Sequence, residues 1–246
     1  DPTKINSVTA KKVTNSLEAN NASPITGESS IPTNLELKRR ILDTFATQNR
    51  AVTKQDMESI VYNMPGKFGA IKRCFVMKDP DSFKRNLNLY VLSEGTDKKL
   101  SKASETLKEN IKVWLNKNKM IHDTVDILDG KIVNFGIEFS AIADPDVNRF
   151  EILNDAIKVL KEKYSQPTYM GEPIYITDIY SILNCQVPGI IDVKKVDIII
   201  KEGGPYASTR FSIDKSISAD GRFIEVPLNV SMELKFPSSD IKGTIE

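Results

Sequence analysis

Residues 133–141 read VNFGIEFSA, the clearest strand pattern in the chain. Apolar and polar residues alternate at every position, which is the period of a strand with one buried and one solvated face. Val133, Phe135, Ile137, Phe139 and Ala141 form the apolar face. The pattern therefore predicts a half-buried strand around which neighbouring elements pack.

The residues before this strand predict another strand and then a helix. Apolar residues alternate over 87–91 and indicate the strand. A run of apolar residues at helical spacing follows, so we expect a helix capped by Ser101. Trp114 lies on the apolar side of that helix, and we expect it to pack between the helix and the sheet.

The dipeptide Asp129-Gly130 lies directly before the central strand pattern. Such a pair is typical of a two-residue turn, because both of its central residues tolerate positive φ angles. It predicts a hairpin between residues 125–127 and residues 133–141. With two preceding helices, these elements predict an α+β core over residues 31–142.

The N-terminal part divides into two segments. Residues 1–30 are rich in Asn, Ser, Thr and Lys without a sustained period, and predict an extended or mobile lead-in. Apolar residues at helical spacing over 31–50 predict a helix that Thr33 or Asn34 caps. Its three consecutive basic residues, 38–40, are expected to form a solvated face.

Three further helix starts are indicated by capping residues. Thr53 and Asp56 have the spacing of a capping box, in which each side chain bonds to the backbone of the other. Asn148 is expected to begin a helix in the same way. Thr177 is expected to cap a shorter helix that ends at a Pro-Gly pair.

Two regions follow the predicted core. Residues 143–202 predict a subdomain of two helices and a strand, Ile190–Ile200, with a bulge or register break near Lys194. Residues 203–246 predict a β-rich C-terminal extension with a hairpin turn at Asp220-Gly221. The fold class predicted is α+β, with small mixed or antiparallel sheets and packed helices in two or three subdomains.

The composition and charge of the chain argue against two classes of partner, nucleic acids and membranes. The 246 residues carry 34 basic and 33 acidic side chains, a net charge of +1, and no basic stripe. We therefore expect no nucleic-acid partner. No apolar run is long enough to span a bilayer, so no membrane insertion is expected. The two cysteines are widely spaced and are expected to be reduced. The sequence starts at Asp1-Pro2, so we expect it to be a fragment of a longer polypeptide.

The sequence carries no pattern that predicts catalysis. His122 is the only histidine, and no nucleophile signature accompanies it. Asp144-Pro145-Asp146 lacks the ligand spacing of a calcium loop and is expected to be a turn. Gly203-Gly204-Pro205 lacks the lysine and the helix of a phosphate-binding loop. We expect no enzyme activity and predict no catalytic, cofactor-binding or metal-binding residues.

The C-terminal extension carries an apolar row that some surface must cover. Its alternation indicates one face of a strand, which would favour uncontrolled pairing if it were left exposed. We therefore predict a partner interface, in a homodimer or ring, although docking of the same row within its own chain stays open. The interface residues predicted are Phe211, Phe223, Val230, Met232, Leu234 and Phe236.

Three stretches, taken in order, resemble the baseplate J-like family, the wedge proteins of contractile phage tails and related injection machines. The resemblance covers about residues 31–200. The stretches are Thr26-Gly27-Glu28 with Leu35–Arg40, Thr53-Lys54-Gln55-Asp56 with Gly69–Val76, and Gly171-Glu172-Pro173 with Thr177–Val193.

The resemblance implies a structural role. A member of this family would be a subunit of the baseplate ring in the virion tail, assembled in the host cytoplasm. It would contact its own copies and other wedge proteins, rearrange during contraction, and need no cofactor. The competing interpretations are a tail-associated cell-wall hydrolase and a receptor-binding module.

Overall fold

The computed structural model describes residues 30–79 and 86–246, and the fold over these residues is α+β. The predicted lead-in over residues 1–30 lies outside the described residues except for Ser30. The helices are α1 Asn34–Thr47, α2 Lys54–Tyr62, α3 Glu105–Asn116, α4 Arg149–Lys163, α5 Ile176–Gln186, α6 Ile213–Ser216 and α7 Pro237–Asp240, with a 3-10 turn at Gly66–Phe68. The strands are β1 Arg73–Lys78, β2 Asn86–Glu94, β3 Leu100–Lys102, β4 Thr124–Asp129, β5 Lys131–Ala143, β6 Ile174–Tyr175, β7 Ile190–Lys201, β8 Phe223–Ile224, β9 Val230–Glu233 and β10 Ile241–Ile245.

The first sheet is built on β2. Strands β1 and β3 pair with it antiparallel, and β4 pairs with it in parallel. Helices α2 and α3 cover one face, where Met57, Leu89 and Ile111 are almost fully buried. This sheet and its two helices form one core.

The second sheet is built on β5, the strand that residues 133–141 predict. Strand β7 pairs with it antiparallel on one side, and β9 and β10 pair with it in parallel. The strand's apolar face is buried with residues from α4 and α5. The predicted bulge is confirmed, because Ser140 lies opposite Lys195 and Ala141 opposite Val193, which leaves Lys194 as the extra residue.

The predicted hairpin at Asp129-Gly130 is wrong. Strand β4 belongs to the first sheet and β5 to the second, so the dipeptide is the crossing between them. A Cβ atom on Gly130 would lie 2.5 Å from Cε of Met170 and 2.9 Å from Cγ of Leu92. Glycine is needed here for this close approach, and the elements predicted as one core over 31–142 are divided between two sheets.

Helix starts follow local side-chain chemistry in most places. Thr33 caps α1, and Thr53 forms the full predicted capping box of α2 with Asp56. Asn148 caps α4 by accepting from the Phe150 backbone N–H. The cap of α3 is Ser104 rather than Ser101, because residues 100–102 pair with β2 as a strand.

Two other expectations need correction. Helix α5 begins at Ile176 after Tyr175 and uses no side-chain cap, so Thr177 is not its cap. Trp114 is half-buried at the edge of the first core rather than enclosed between helix and sheet, and it contacts α2 and the 3-10 turn. Its Nε1–H donates to the Ile60 carbonyl at 2.9 Å, and its ring lies 6.5 Å from that of Phe68.

Candidate functional site

Helix α1 packs with its polar side toward the chain. Glu36 and Thr47 are its only buried residues. Gln55 Nε2 of α2 donates to Asp43 Oδ1, and Asn63 Nδ2 donates to Thr44 Oγ1, both at 2.8 Å. The helix is therefore held by hydrogen bonds and charge rather than by an apolar contact.

Glu36 and Arg73 form the centre of this attachment. Both side chains are almost fully buried, and Arg73 Nη1 lies 3.0 Å from Glu36 Oε1. Arg40 Nη2 donates to the same oxygen at 2.6 Å. Arg40 thus faces inward, which corrects its predicted place on a solvated basic face. Two cations on one buried carboxylate fix the helix at a single rotation about its axis.

Arg73 also connects the two sheets. Its guanidinium donates to the Pro167 carbonyl at 2.7 Å and to the Thr168 carbonyl at 3.2 Å. Thr168 in turn accepts from the Met232 backbone N–H of β9 through Oγ1 at 2.9 Å. A second buried pair lies beside it, where Lys72 Nζ is 3.7 Å from Glu94 Oε2. Burial lowers the pKa of Lys72, and Glu94 offsets part of this effect.

The outward side of α1 is apolar, and the described residues leave it uncovered. Leu35 is 80%, Leu42 69% and Phe45 82% exposed, and Ile41 is exposed as well. Lys38 lies between them at helical spacing and is also exposed. We call these five residues the α1 stripe. Exposed large side chains that recur along one helix face mark an interaction surface.

A second exposed apolar site lies at the start of α4. Phe150 is 78% exposed and Val147 is 40% exposed. Asp146 and Glu151 flank them and are exposed. We call these four residues the α4 patch. It combines apolar side chains with carboxylates, whereas the α1 stripe combines them with an amine.

The predicted interface is wrong for the residues of β9 and its extension. Val230, Met232 and Leu234 are almost fully buried in the core of the second sheet. The reason is that β9 pairs in parallel with β5, placing Met232 opposite Val133. The chain itself covers this row, so no second subunit is required for that purpose.

The three aromatic residues of the predicted interface occupy separate places. Phe236 is 40% exposed, with its ring 5.5 Å from that of Tyr206. Phe223 is half-buried in β8, and its ring lies 5.7 Å from that of Tyr175. Phe211 is half-buried in the segment before α6, which forms neither helix nor strand. Their role in an interface stays a prediction.

A cavity, the Cys74 thiol and His122 bear on the question of catalysis. A cavity of about 410 Å³ lies between α1, α2 and the 169–172 loop, and the four charged residues of α1 that line it are all engaged in ion pairs. Burial raises the pKa of the Cys74 thiol, so it is not a thiolate near neutral pH. His122 is exposed in the loop before β4. Over residues 30–79 and 86–246, no group of three His, Cys, Asp or Glu side chains is placed to hold a metal.

The helices in the described part of the chain are too short or too polar to cross a bilayer. No family model and no curated protein sequence matches the chain. Among solved structures, the chain is similar to one described as the cryo-EM structure of the anti-feeding prophage baseplate, 6-fold symmetrised. The identity is 14%, the TM-score is 0.44, and the match covers 87% of this chain and 42% of that one. The chain thus spans less than half the length of the chain it matches, and a likeness at this level carries no argument about function.

Proposed function

We propose that the chain is a structural subunit of a contractile-tail baseplate that acts through protein contacts and without catalysis. The narrower proposal is the C-terminal half of a wedge protein of the T-even type. The observation that carries the assembly role is the α1 stripe, because a helix held by its polar side leaves its apolar side for a partner. The resemblance of the sequence to baseplate J-like proteins supplies the kind of assembly.

The segments that carry the resemblance have well-defined local roles. Thr53 and Asp56 form the capping box that starts α2. Pro188-Gly189 ends α5, where Gly189 adopts a φ of 93° and lies close to Ile152. These positions constrain the backbone, which supports a subunit that needs a precise shape.

The test is assembly of contractile particles in a host that supplies the Leu42→Asp chain in place of the unaltered one. We expect folded chain but a large loss of complete baseplates by electron microscopy. The matched control is Val113→Asp on α3, where an exposed apolar side chain stands alone. Normal particle yield with Leu42→Asp, or hydrolysis of purified cell wall by the unaltered chain, would contradict the proposal.

A further inference from the structure

The two exposed apolar sites differ in charge. Residues 31–50, which contain α1, have four basic and two acidic residues, a formal charge of +2. Both acids are directed inward or paired, since Glu36 binds Arg40 and Arg73 and Asp43 lies 3.9 Å from Arg39. The exposed charge on the stripe itself is that of Lys38, which is positive.

The α4 patch has the opposite sign. Residues 144–155 contain four acidic residues and one basic residue, a formal charge of −3. Asp146, Glu151 and Asp155 are exposed, and Arg149 is the single cation in this range. The two surfaces are complementary in two ways: both are apolar, and the basic centre of one is opposite in charge to the acidic border of the other.

The two sites also lie at different ends of the fold. Helix α1, which carries the stripe, is attached to the first sheet through Arg73 of β1. The α4 patch follows the last residue of β5, a strand of 13 residues that begins next to the first sheet at Gly130. A strand of that length spans about 40 Å. One copy cannot bring its own stripe and patch together, but two copies can.

We infer that the α1 stripe of one copy docks on the α4 patch of the next, in a head-to-tail contact between copies of this chain. The inference rests on the proposed assembly role and specifies its partner. Lys38 would lie against the carboxylates of Asp146 and Glu151, and Leu42 and Phe45 against Val147 and Phe150. A contact of this heterologous kind generates a ring when the rotation between copies closes.

A self-contact between two α1 stripes is less favourable on the same observations. It would place Lys38 of one copy near Lys38 of the other. Like charges brought together in an interface oppose association. The head-to-tail arrangement replaces this repulsion with attraction.

The test uses two variants of the full chain, Leu42→Asp and Phe150→Asp, measured by sedimentation velocity alone and mixed. Both positions are exposed, so circular dichroism and thermal unfolding should match the unaltered chain. We expect self-association of the unaltered chain, a monomer for each variant alone, and a 1:1 dimer for the mixture. The mixture stops at a dimer because one intact stripe and one intact patch remain.

Charge reversal gives an independent readout. Lys38→Glu should weaken association about tenfold, and Glu151→Lys in the neighbouring copy should restore it. The inference is overturned if Phe150→Asp associates like the unaltered chain, which would indicate a contact between two α1 stripes. A strictly monomeric unaltered chain would also overturn it, whether residues 1–29 or a different protein covers the stripe. Loss of particles with Leu42→Asp would then still support the assembly role.

Discussion

Helices α1 and α3 are both amphipathic, yet they turn opposite sides toward the chain. In α3, Leu107, Ile111 and Leu115 are buried and the charged side faces solvent. In α1, the buried residues are Glu36 and Thr47, and the apolar side faces solvent. The difference follows from what lies beneath each helix: an apolar core under α3, and the guanidinium of Arg73 with the amides of α2 under α1. Helical periodicity identifies the two sides of a helix but not which side the chain covers.

The largest expected loss of stability follows from removing the carboxylate that holds α1 in place. Glu36→Ala leaves Arg73 and Arg40 without their shared carboxylate. Because Arg73 is buried, leaving it unpaired costs more free energy than leaving Arg40 unpaired. We expect a loss of about 3–5 kcal/mol in the free energy of unfolding. Urea denaturation measures it, with Glu109→Ala on the exposed side of α3 as the control. A loss below about 1 kcal/mol would mean that the Pro167 and Thr168 carbonyls suffice for Arg73.

The next effect compares leucines on the two helices. Leu115→Ala empties a buried site under α3 and should cost about 2–5 kcal/mol. Leu42→Ala removes a side chain that the chain does not cover, and its effect should stay within about 0.5 kcal/mol. Thermal and urea unfolding of the two variants provide the measurement. Equal losses would mean that the isolated chain buries the outer side of α1.

Local chemistry was predictable where a few neighbouring residues decide it. Thr53 with Asp56 defines a helix start within four residues, and the change in apolar phase near Lys194 marks a bulge. The partner of a strand could not be predicted in this way, because alternation indicates that one face is covered but does not identify the element that covers it. Asp129-Gly130 therefore resembled a hairpin turn although it crosses between two sheets.

The same limit applies to the predicted interface residues, because the sequence pattern did not show whether their own chain covers them. Val230, Met232 and Leu234 were expected to need a partner, and β5 of the same chain covers them. Leu35, Leu42 and Phe45 are apolar positions of the helix predicted over residues 31–50, and the structure leaves them exposed. One signal for α1 was present in the sequence: Glu36, Arg40 and Asp43 recur at helical spacing and form a continuous polar side. The ion pair with Arg73 and the hydrogen bonds from α2 show that this side faces inward.

A smaller effect concerns how the stability of the fold depends on pH, which should differ between a polar contact and an apolar one. Glu233 joins the two sheets, accepting from the Leu100 backbone N–H at 2.9 Å and from Asn134 Nδ2 at 3.3 Å. Burial raises the pKa of its carboxyl above the usual value near 4.5, and these hydrogen bonds offset part of the rise. Above the raised pKa the charged form weakens the folded state. As pH falls through that pKa toward 4.5, the folded state binds the proton first, so stability should increase.

Unfolding of the unaltered chain and of Glu233→Gln at several pH values between 7 and 4.5 checks this direction, since the amide cannot titrate. The difference between the two chains should shift in favour of the unaltered one as pH falls. The difference between Leu115→Ala and the unaltered chain should not change over the same range. A constant Glu233→Gln difference would mean that the carboxyl titrates alike in the folded and unfolded states.

The most direct test of the account measures whether the α1 stripe is covered only by assembly. Cys185 is exposed and is first replaced by Ser, and then Leu42→Cys or Val113→Cys introduces one new accessible thiol. The rate of reaction with a maleimide is compared between the isolated chain, diluted until sedimentation shows a monomer, and assembled particles. The account predicts that the thiol at position 42 reacts rapidly in the isolated chain and at least tenfold more slowly in particles, whereas the thiol at position 113 is unchanged. Slow reaction at position 42 in the isolated chain, or equally rapid reaction in particles, would contradict it.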